Sequence, residues 1–232
     1  MVKVRKSSER GGATHGWLNT QHTFSFSDYY DASYMGFRSL RVINEDRVSP
    51  DNGFGSHPHK DMEIITYVVS GALTHKDSMG NEAVLSAGDF QAMTAGKGIV
   101  HSEFNKSKSE PVHLLQIWIL PEVKGLAPSY QEMQSSSLHG LQLVASQDER
   151  SGSMKINQNA DLFFGNFKEG SKLSHALQTG RGAWLQLISG ELEFKSGTSA
   201  YTLTEGDGVS FEAEFPEIGV VADSKFLLFD LS

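Results

Sequence analysis

The sequence predicts an all-β protein, a sandwich or barrel, on three observations. Short runs rich in β-branched and aromatic residues recur at close spacing, Gly, Asn, Asp or Ser punctuates them, and convincing helical periodicity is almost absent. In chain order the runs are Ser39 to Asn44, Met62 to Val69, Glu82 to Leu85, Phe90 to Met93 and Val112 to Ile119. Trp184 to Ile188, Leu192 to Lys195, Tyr201 to Leu203, Val209 to Glu212 and Phe226 to Asp230 follow. Only Ala127 to Ser137 and Ser146 to Ser151 have room for a helical turn or two.

One β unit is written twice. Ser70-Gly71-Ala72-Leu73 leads through Val84-Leu85 to Gly88-Asp89-Phe90, and Ser189-Gly190-Glu191-Leu192 leads through Thr202-Leu203 to Gly206-Asp207-Gly208. The offset is 119 residues from Ser70 to Ser189 and 118 from Gly88 to Gly206. Two copies of strand, Ser-Gly turn, strand, loop, strand, Gly-Asp turn, strand follow, with the glycines free to take positive φ. Pro121, Gly125, Pro128 and the Ser135-Ser136-Ser137 run break the pattern, so a boundary is expected between Pro121 and His139. This divides the chain into domains at 1–130 and 131–232.

Composition removes several functions. The net charge of -8 is unsuited to gripping phosphate backbones, so nucleic acid is not expected as a direct partner. With no cysteine, disulfides and thiolate ligands are both excluded. The longest strongly apolar stretch, Leu114 to Leu120, is interrupted by Gln116 and too short to span a bilayer. No apolar segment follows Met1-Val2-Lys3-Val4-Arg5-Lys6, and a cytoplasmic protein away from the membrane is expected.

Chemistry concentrates in two pairs, His57-Pro58-His59 and His101-Ser102-Glu103. Side chains two apart on a strand share a face, so three imidazoles and a carboxylate can converge on one cavity. Such a sulfur-free set suits iron, manganese, cobalt, nickel, copper or zinc, and four protein donors leave two positions open on a six-coordinate ion. Gly53 and Gly55 before one pair and Gly96 and Gly98 before the other suggest that both enter from one rim. Glu63 is a rival carboxylate, because it keeps the parity of positions 57, 59 and 61, and parity does not separate it from Glu103. Asp61 reads as a group that orients a histidine.

The second copy lacks this set. His57 and His59 project near Ala176 and Gln178, and His101 and Glu103 near Gly219 to Ala222, with His175 one place from a projected position. The carboxy-terminal half therefore reads as a degenerate copy without a metal site. His15, His22, His75, His113, His139 and His175 occur singly and read as surface or hydrogen-bonded residues. Phe24, Phe26, Tyr29 and Tyr30 are expected to pack around His22, and Arg41, Gln91, Met93 and Gln116 have settings that could face the pocket.

At these residues the chain resembles the pirin family of the cupin superfamily, in its bacterial form. The matching stretches are His22-Thr23-Phe24-Ser25-Phe26 with Tyr29-Tyr30-Asp31, Met35-Gly36-Phe37, Leu40 to Asn44, and Gly55 to Tyr67 reading GSHPHKDMEIITY. Asp77 to Gly80, Gln91 to Gly96 with Gly98, His101-Ser102-Glu103 and Leu115 to Ile119 complete them. They cover about the first half; the second carries no comparable motif.

The resemblance implies a bicupin, two tandem antiparallel β-barrel (jelly-roll) domains. It implies one divalent metal, usually Fe2+, with Zn, Mn, Co, Ni or Cu as alternatives, held in the amino-terminal barrel by His57, His59, His101 and Glu103. It favours Glu103 over Glu63. It further implies quercetin 2,3-dioxygenase activity: the flavonol 3-hydroxyl oxygen meets the metal, a carboxylate takes its proton, and dioxygen opens the central ring with release of carbon monoxide. Glu103 is the one ligand able to double as that base. Flavonol and dioxygen are then the partners. A metal-binding redox sensor or co-regulator acting on a protein partner is the competing reading, and a metal-assisted isomerase a third.

Overall fold

The computed structural model describes residues 2–135 and 139–232, so Ser136 and Ser137, which fall in the expected helical stretch and in the boundary run, lie outside the described residues. Strands dominate both halves. Two single 3-10 turns, Ser7–Glu9 and Arg150–Gly152, are the only helical segments among the described residues. None is long and apolar enough to cross a membrane.

The chain folds as two compact units that interleave in sequence. One comprises Gly11–Ser136 with Met154–Gln158; the other comprises Met1–Arg10, Ser137–Ser153 and Asn159–Ser232. The first ten residues fall with the carboxy-terminal half because Val2–Arg5 pairs antiparallel with Gly208–Glu212.

In the first unit a seven-stranded antiparallel sheet runs Ser129–Gln134, Asp89–Thr94, Glu63–Ser70, Val112–Ile119, Leu40–Val48, Leu18–His22, Gly11–Thr14. A four-stranded sheet runs Asn52–His59, Ile99–Asn105, Ala72–Asp77, Glu82–Ser86. Val48, Val68, Leu73, Leu85, Val112 and Leu114 form one buried apolar cluster, and alternation along each strand sends polar residues to the other face. In the second unit Gly182–Ser196 and Ile218–Leu231 pair along most of their length, with Ala160–Phe167 and Gly140–Ser146 beyond. Its core includes Leu185, Leu187, Val209, Phe211, Phe226 and Leu228.

The duplication is visible in the backbone. Gly71 and Gly190 have φ of +79° and +93°, and Gly88 and Gly206 have +92° and +81°. The Gly88 amide donates to the Val68 carbonyl as the Gly206 amide donates to that of Leu187. Each repeat anchor is therefore a positive-φ position that L side chains rarely enter.

The nearly all-β architecture agrees with the expected fold class, its strand pairings forming open sheets with no closed barrel among the described residues. Two expectations are corrected. Ser129–Gln134, read as helical, is a strand, because its alternating pattern pairs with Asp89–Thr94. Trp184 to Ile188 and Leu192 to Lys195 join into one strand across Gly190.

A Cβ on Gly71 would stand 2.6 Å from the Pro111 carbonyl oxygen, and one on Gly190 would strike Ser224 and the Asp223 carbonyl. Gly71→Ala and Gly190→Ala should each lower unfolding free energy by about 1–3 kcal/mol in urea titrations. Gly197→Ala, with φ of +58° but open space around it, should cost about 1 kcal/mol.

Candidate metal centre

The two histidine-bearing segments are adjacent antiparallel strands, Asn52–His59 and Ile99–Asn105, and register brings the ligands together. His101 lies opposite His57, and Ile99 opposite His59. The pairing then slips, so that Glu103 faces Phe54. The extra residue is a bulge in the first strand, which turns Phe54, His57 and His59 onto one cavity although 54 and 57 differ in parity. Pro58 is exposed between its two half-buried neighbours.

Ring centroids are 4.4 Å apart for His57 and His101, and 4.9 Å for His57 and His59 and for His59 and His101. One ring nitrogen from each lies within 4.8 Å of the others. His57 Nδ1–H donates to the Gly55 carbonyl at 2.7 Å; a carbonyl only accepts, so Nε2 keeps its lone pair free for a ligand. His101 is buried, and neither ring nitrogen has a hydrogen-bond partner among the described residues. A buried imidazole left without partners is costly unless something else binds it. The donor set and this orphaned ring both fit a divalent ion.

Electrostatics keep the rings ready. Burial, reinforced by neighbouring imidazoles, pushes His101 down to about 3 and His59 to about 4. Both stay neutral at physiological pH, as a metal ligand must.

Glu103 is held by the opposite sheet. Across five neighbouring strands His22, Asn44, Gln116, Thr66 and Gln91 lie in direct register, a polar row on one face. Gln116 Nε2 donates to Glu103 Oε2 at 2.9 Å, and Gln91 Nε2 and Thr66 Oγ1 approach Oε1 at 3.3 and 3.4 Å. Burial first, and the Asp46 charge second, lift Glu103 to about 7, while these three hydrogen bonds pull it down. Three convergent donors place a carboxyl that burial alone would expel.

These groups bound a cavity of about 320 Å³. His57, His59 and Glu103 form one wall and Asn44, Asp46 and Gln116 another, while Phe26, Phe54 and Trp118 supply apolar surface. Trp118 also packs edge-on against His59 at 5.0 Å. Aromatic walls with a few aimed polar groups suit a flat aromatic ligand.

Other candidates separate clearly. Glu63 is buried but three residues from Thr66, hence on the opposite face; its carboxylate accepts from Thr94 at 2.8 Å and from Asn157. The parity argument for it fails because residues 60–62 interrupt the strand. Asp61 does not orient a histidine: it has φ of +50° and accepts the Gly125 amide at 2.7 Å. Gln91 and Gln116 do reach Glu103, whereas Met93 packs with Ile64, Ala95 and Ile99. Arg41 lines a neighbouring cavity of about 420 Å³. Phe24 is buried and Tyr29 stacks on His22, but Tyr30 is 73% exposed.

His75 is the residue that sequence reasoning missed. It lies opposite Glu103 in register, is fully buried, and has a ligand atom within 4.8 Å of those of His101 and Glu103. Its Nε2–H donates to Asp77 at 3.4 Å, its Nδ1 is unpartnered, and its ring stacks on Tyr130 at 4.8 Å. The available signal was His75-Lys76-Asp77, a third ligand-type pair two apart, directly behind the Ser70-Gly71 turn.

In the second unit the projected positions Ala176 and Gln178 border a polar cavity of about 450 Å³. There His175 Nε2–H donates to Asp230 at 2.7 Å, and Arg181 pairs with the same carboxylate. Both histidine-rich groups found among the described residues lie in the first unit.

A duplicated, nearly all-β chain with a histidine-lined cavity in one copy defines a bicupin. Residues 2–119 match the Pirin family model, and residues 143–231 match that of the quercetinase C-terminal cupin domain. The chain is 45% identical, over its whole length and 99% of the relative, to a quercetin 2,3-dioxygenase of Escherichia coli strain K12. The crystal structure of YhhW from Escherichia coli superposes with a TM-score of 0.96 at 44% identity, covering 100% of this chain and 98% of that one. A bacterial pirin YhhW in complex with nickel(II) gives 0.94 at 44% identity, covering 100% and 99%. The chain belongs to the pirin family.

Two outcomes follow from the geometry. His57→Ala and His101→Ala should each abolish bound metal in elemental analysis, whereas Glu63→Ala should keep the wild-type content. The folded pKa of Glu103 lies above its ordinary 4.5, so the stability this group contributes is complete below pH 4.5 and is lost as pH rises toward about 7. Metal-free Glu103→Gln lacks that loss. Its melting temperature relative to wild type should climb from pH 4.5 to 7 and level off above; a difference independent of pH would contradict the assignment.

Proposed function

We propose that this chain is a metal-dependent dioxygenase that opens the central ring of quercetin or a related flavonol with dioxygen, releasing carbon monoxide. The observation that carries the reading is the buried His101, whose ring nitrogens have no hydrogen-bond partner among the described residues, beside two further imidazoles and a positioned carboxyl that line a cavity with aromatic walls. Full-length similarity to a relative named quercetin 2,3-dioxygenase supports it.

In this reading His57, His59, His101 and Glu103 hold one divalent ion, most simply Fe2+. When bound, the ion supplies Lewis acidity toward a flavonol hydroxyl and the redox-capable centre that dioxygen chemistry requires. The metal site belongs to the division at 1–130, and the division at 131–232 serves as a copy without one. Phe26, Phe54 and Trp118 stack or pack against the flavonol rings and keep water out. Glu103 takes the 3-hydroxyl proton. Gln116, Gln91 and Thr66 hold its two oxygens in place for that transfer, and its elevated proton affinity suits it to accept one near neutral pH.

Iron-loaded protein incubated with quercetin in air should yield carbon monoxide and the ring-opened ester in equal amounts, and a chelator should stop both. Glu103→Gln should lower kcat by about 10²–10⁴-fold. Absence of carbon monoxide with iron, manganese, cobalt, nickel and copper alike would overturn the proposal.

A further inference from the structure

Asp46 has one side-chain hydrogen-bond partner, Thr20, the residue opposite it in register, which leaves half of its carboxyl unaccounted for. It is 5% exposed, and its Oδ1 is buried with no hydrogen-bond partner among the described residues. It borders the same cavity as Glu103, a second carboxyl, and neither lysine nor arginine lines that space. A buried carboxyl oxygen with no donor in the chain works against folding, so an acceptor kept there calls for a donor from outside the chain.

Its place along the sheet says where that donor must lie. Asp46 stands in register with Thr20 and Leu114; the polar row through Asn44 and Gln116 comes next, and the row of Val42 and Trp118 after it. Trp118 is the residue packed on His59. Asp46 is therefore one pleat repeat, roughly 7 Å along the strands, from the row that holds Glu103, and two repeats, roughly 13 Å, from the row that packs on His59. A separation of roughly 7–13 Å is reached by the second ring of a multi-ring aromatic molecule, not by a single hydroxyl. A carboxyl oxygen recognises only donors, and the phenolic O–H is the strong donor such a molecule carries.

We propose that Asp46 is a recognition residue for a second hydroxyl of the ligand: its Oδ1 accepts a hydrogen bond from a polyhydroxylated aromatic at the end remote from the hydroxyl held near His57, His59 and His101. This rests on the flavonol reading above. It makes the cavity a gauge of hydroxyl pattern, because a ligand lacking the remote hydroxyl leaves Asp46 as unsatisfied as it is in the free protein.

The test uses nickel-loaded protein without dioxygen, so that binding is read apart from turnover, with quercetin and 3-hydroxyflavone titrated by fluorescence quenching. Asp46→Ala should weaken quercetin binding about ten- to a hundredfold, leave 3-hydroxyflavone within about twofold, and leave nickel content unchanged. Asp46→Asn, which keeps an acceptor without the charge, should fall between wild type and Asp46→Ala for quercetin. The ligand-free Asp46→Asn protein should melt at the same or a higher temperature than wild type, since it removes a like charge from beside Glu103; a fall of several degrees would reveal a structural role and overturn the assignment. Unchanged quercetin affinity, or an equal loss for both ligands, overturns it while leaving the flavonol reading intact. Wild-type protein that binds neither ligand overturns both.

Discussion

Everything at the centre depends on register between two antiparallel strands. His101 stands opposite His57, and a one-residue bulge in Asn52–His59 then lets Glu103 pair with Phe54. Slipping that pairing by one residue would send every ligand side chain to the other face. Three imidazoles crowded within 4.8 Å could not all carry protons, and burial removes the water that would stabilise such charges. The same enclosure that makes His101 costly as a free side chain makes it a ready ligand.

The opposite sheet meets a related constraint with carboxyls. A row of imidazole, amide and hydroxyl side chains spans five strands at one level, and three of them, Gln116, Gln91 and Thr66, grip Glu103 from across the cavity. Apolar residues flank this row, with Leu114 and Val68 on one side and Trp118, Ile64 and Met93 on the other. Asp46 and Thr20 are the polar exceptions, in the row of Leu114 and Val68. Sites of this kind give up stability for function, and Glu103 and Asp46, both raised by burial to about 7 and about 6, carry that cost here.

Much of this was legible in the chain. Period-two alternation and the two Ser-Gly and Gly-Asp anchors announced duplicated β units, and the anchors correspond to paired positive-φ glycines. His57-Pro58-His59 and His101-Ser102-Glu103 announced convergence because two-residue spacing survives on any strand. What was illegible depended on partners distant in sequence. Parity drawn from His59 to Glu63 crosses Asp61, whose left-handed φ breaks the strand, so a local rule failed at a local kink. His75 looked solitary because only its pairing with Glu103 gives it company. The polar row is invisible one strand at a time: Thr66, Gln91 and Gln116 are single polar residues among apolar neighbours, and Asn44 is one of several polar residues in its strand, until the sheet aligns them. Val2–Arg5 gives no sign in sequence that it pairs with Gly208–Glu212.

The central claim is that one cation is gripped by three imidazoles and one carboxylate from these two strands. X-ray absorption at the metal edge of iron-loaded protein measures it most directly. The account predicts three imidazole scatterers plus oxygen donors in wild type, with one imidazole lost in His59→Gln. A spectrum with fewer than three imidazoles, or one unaltered by that substitution, would contradict it.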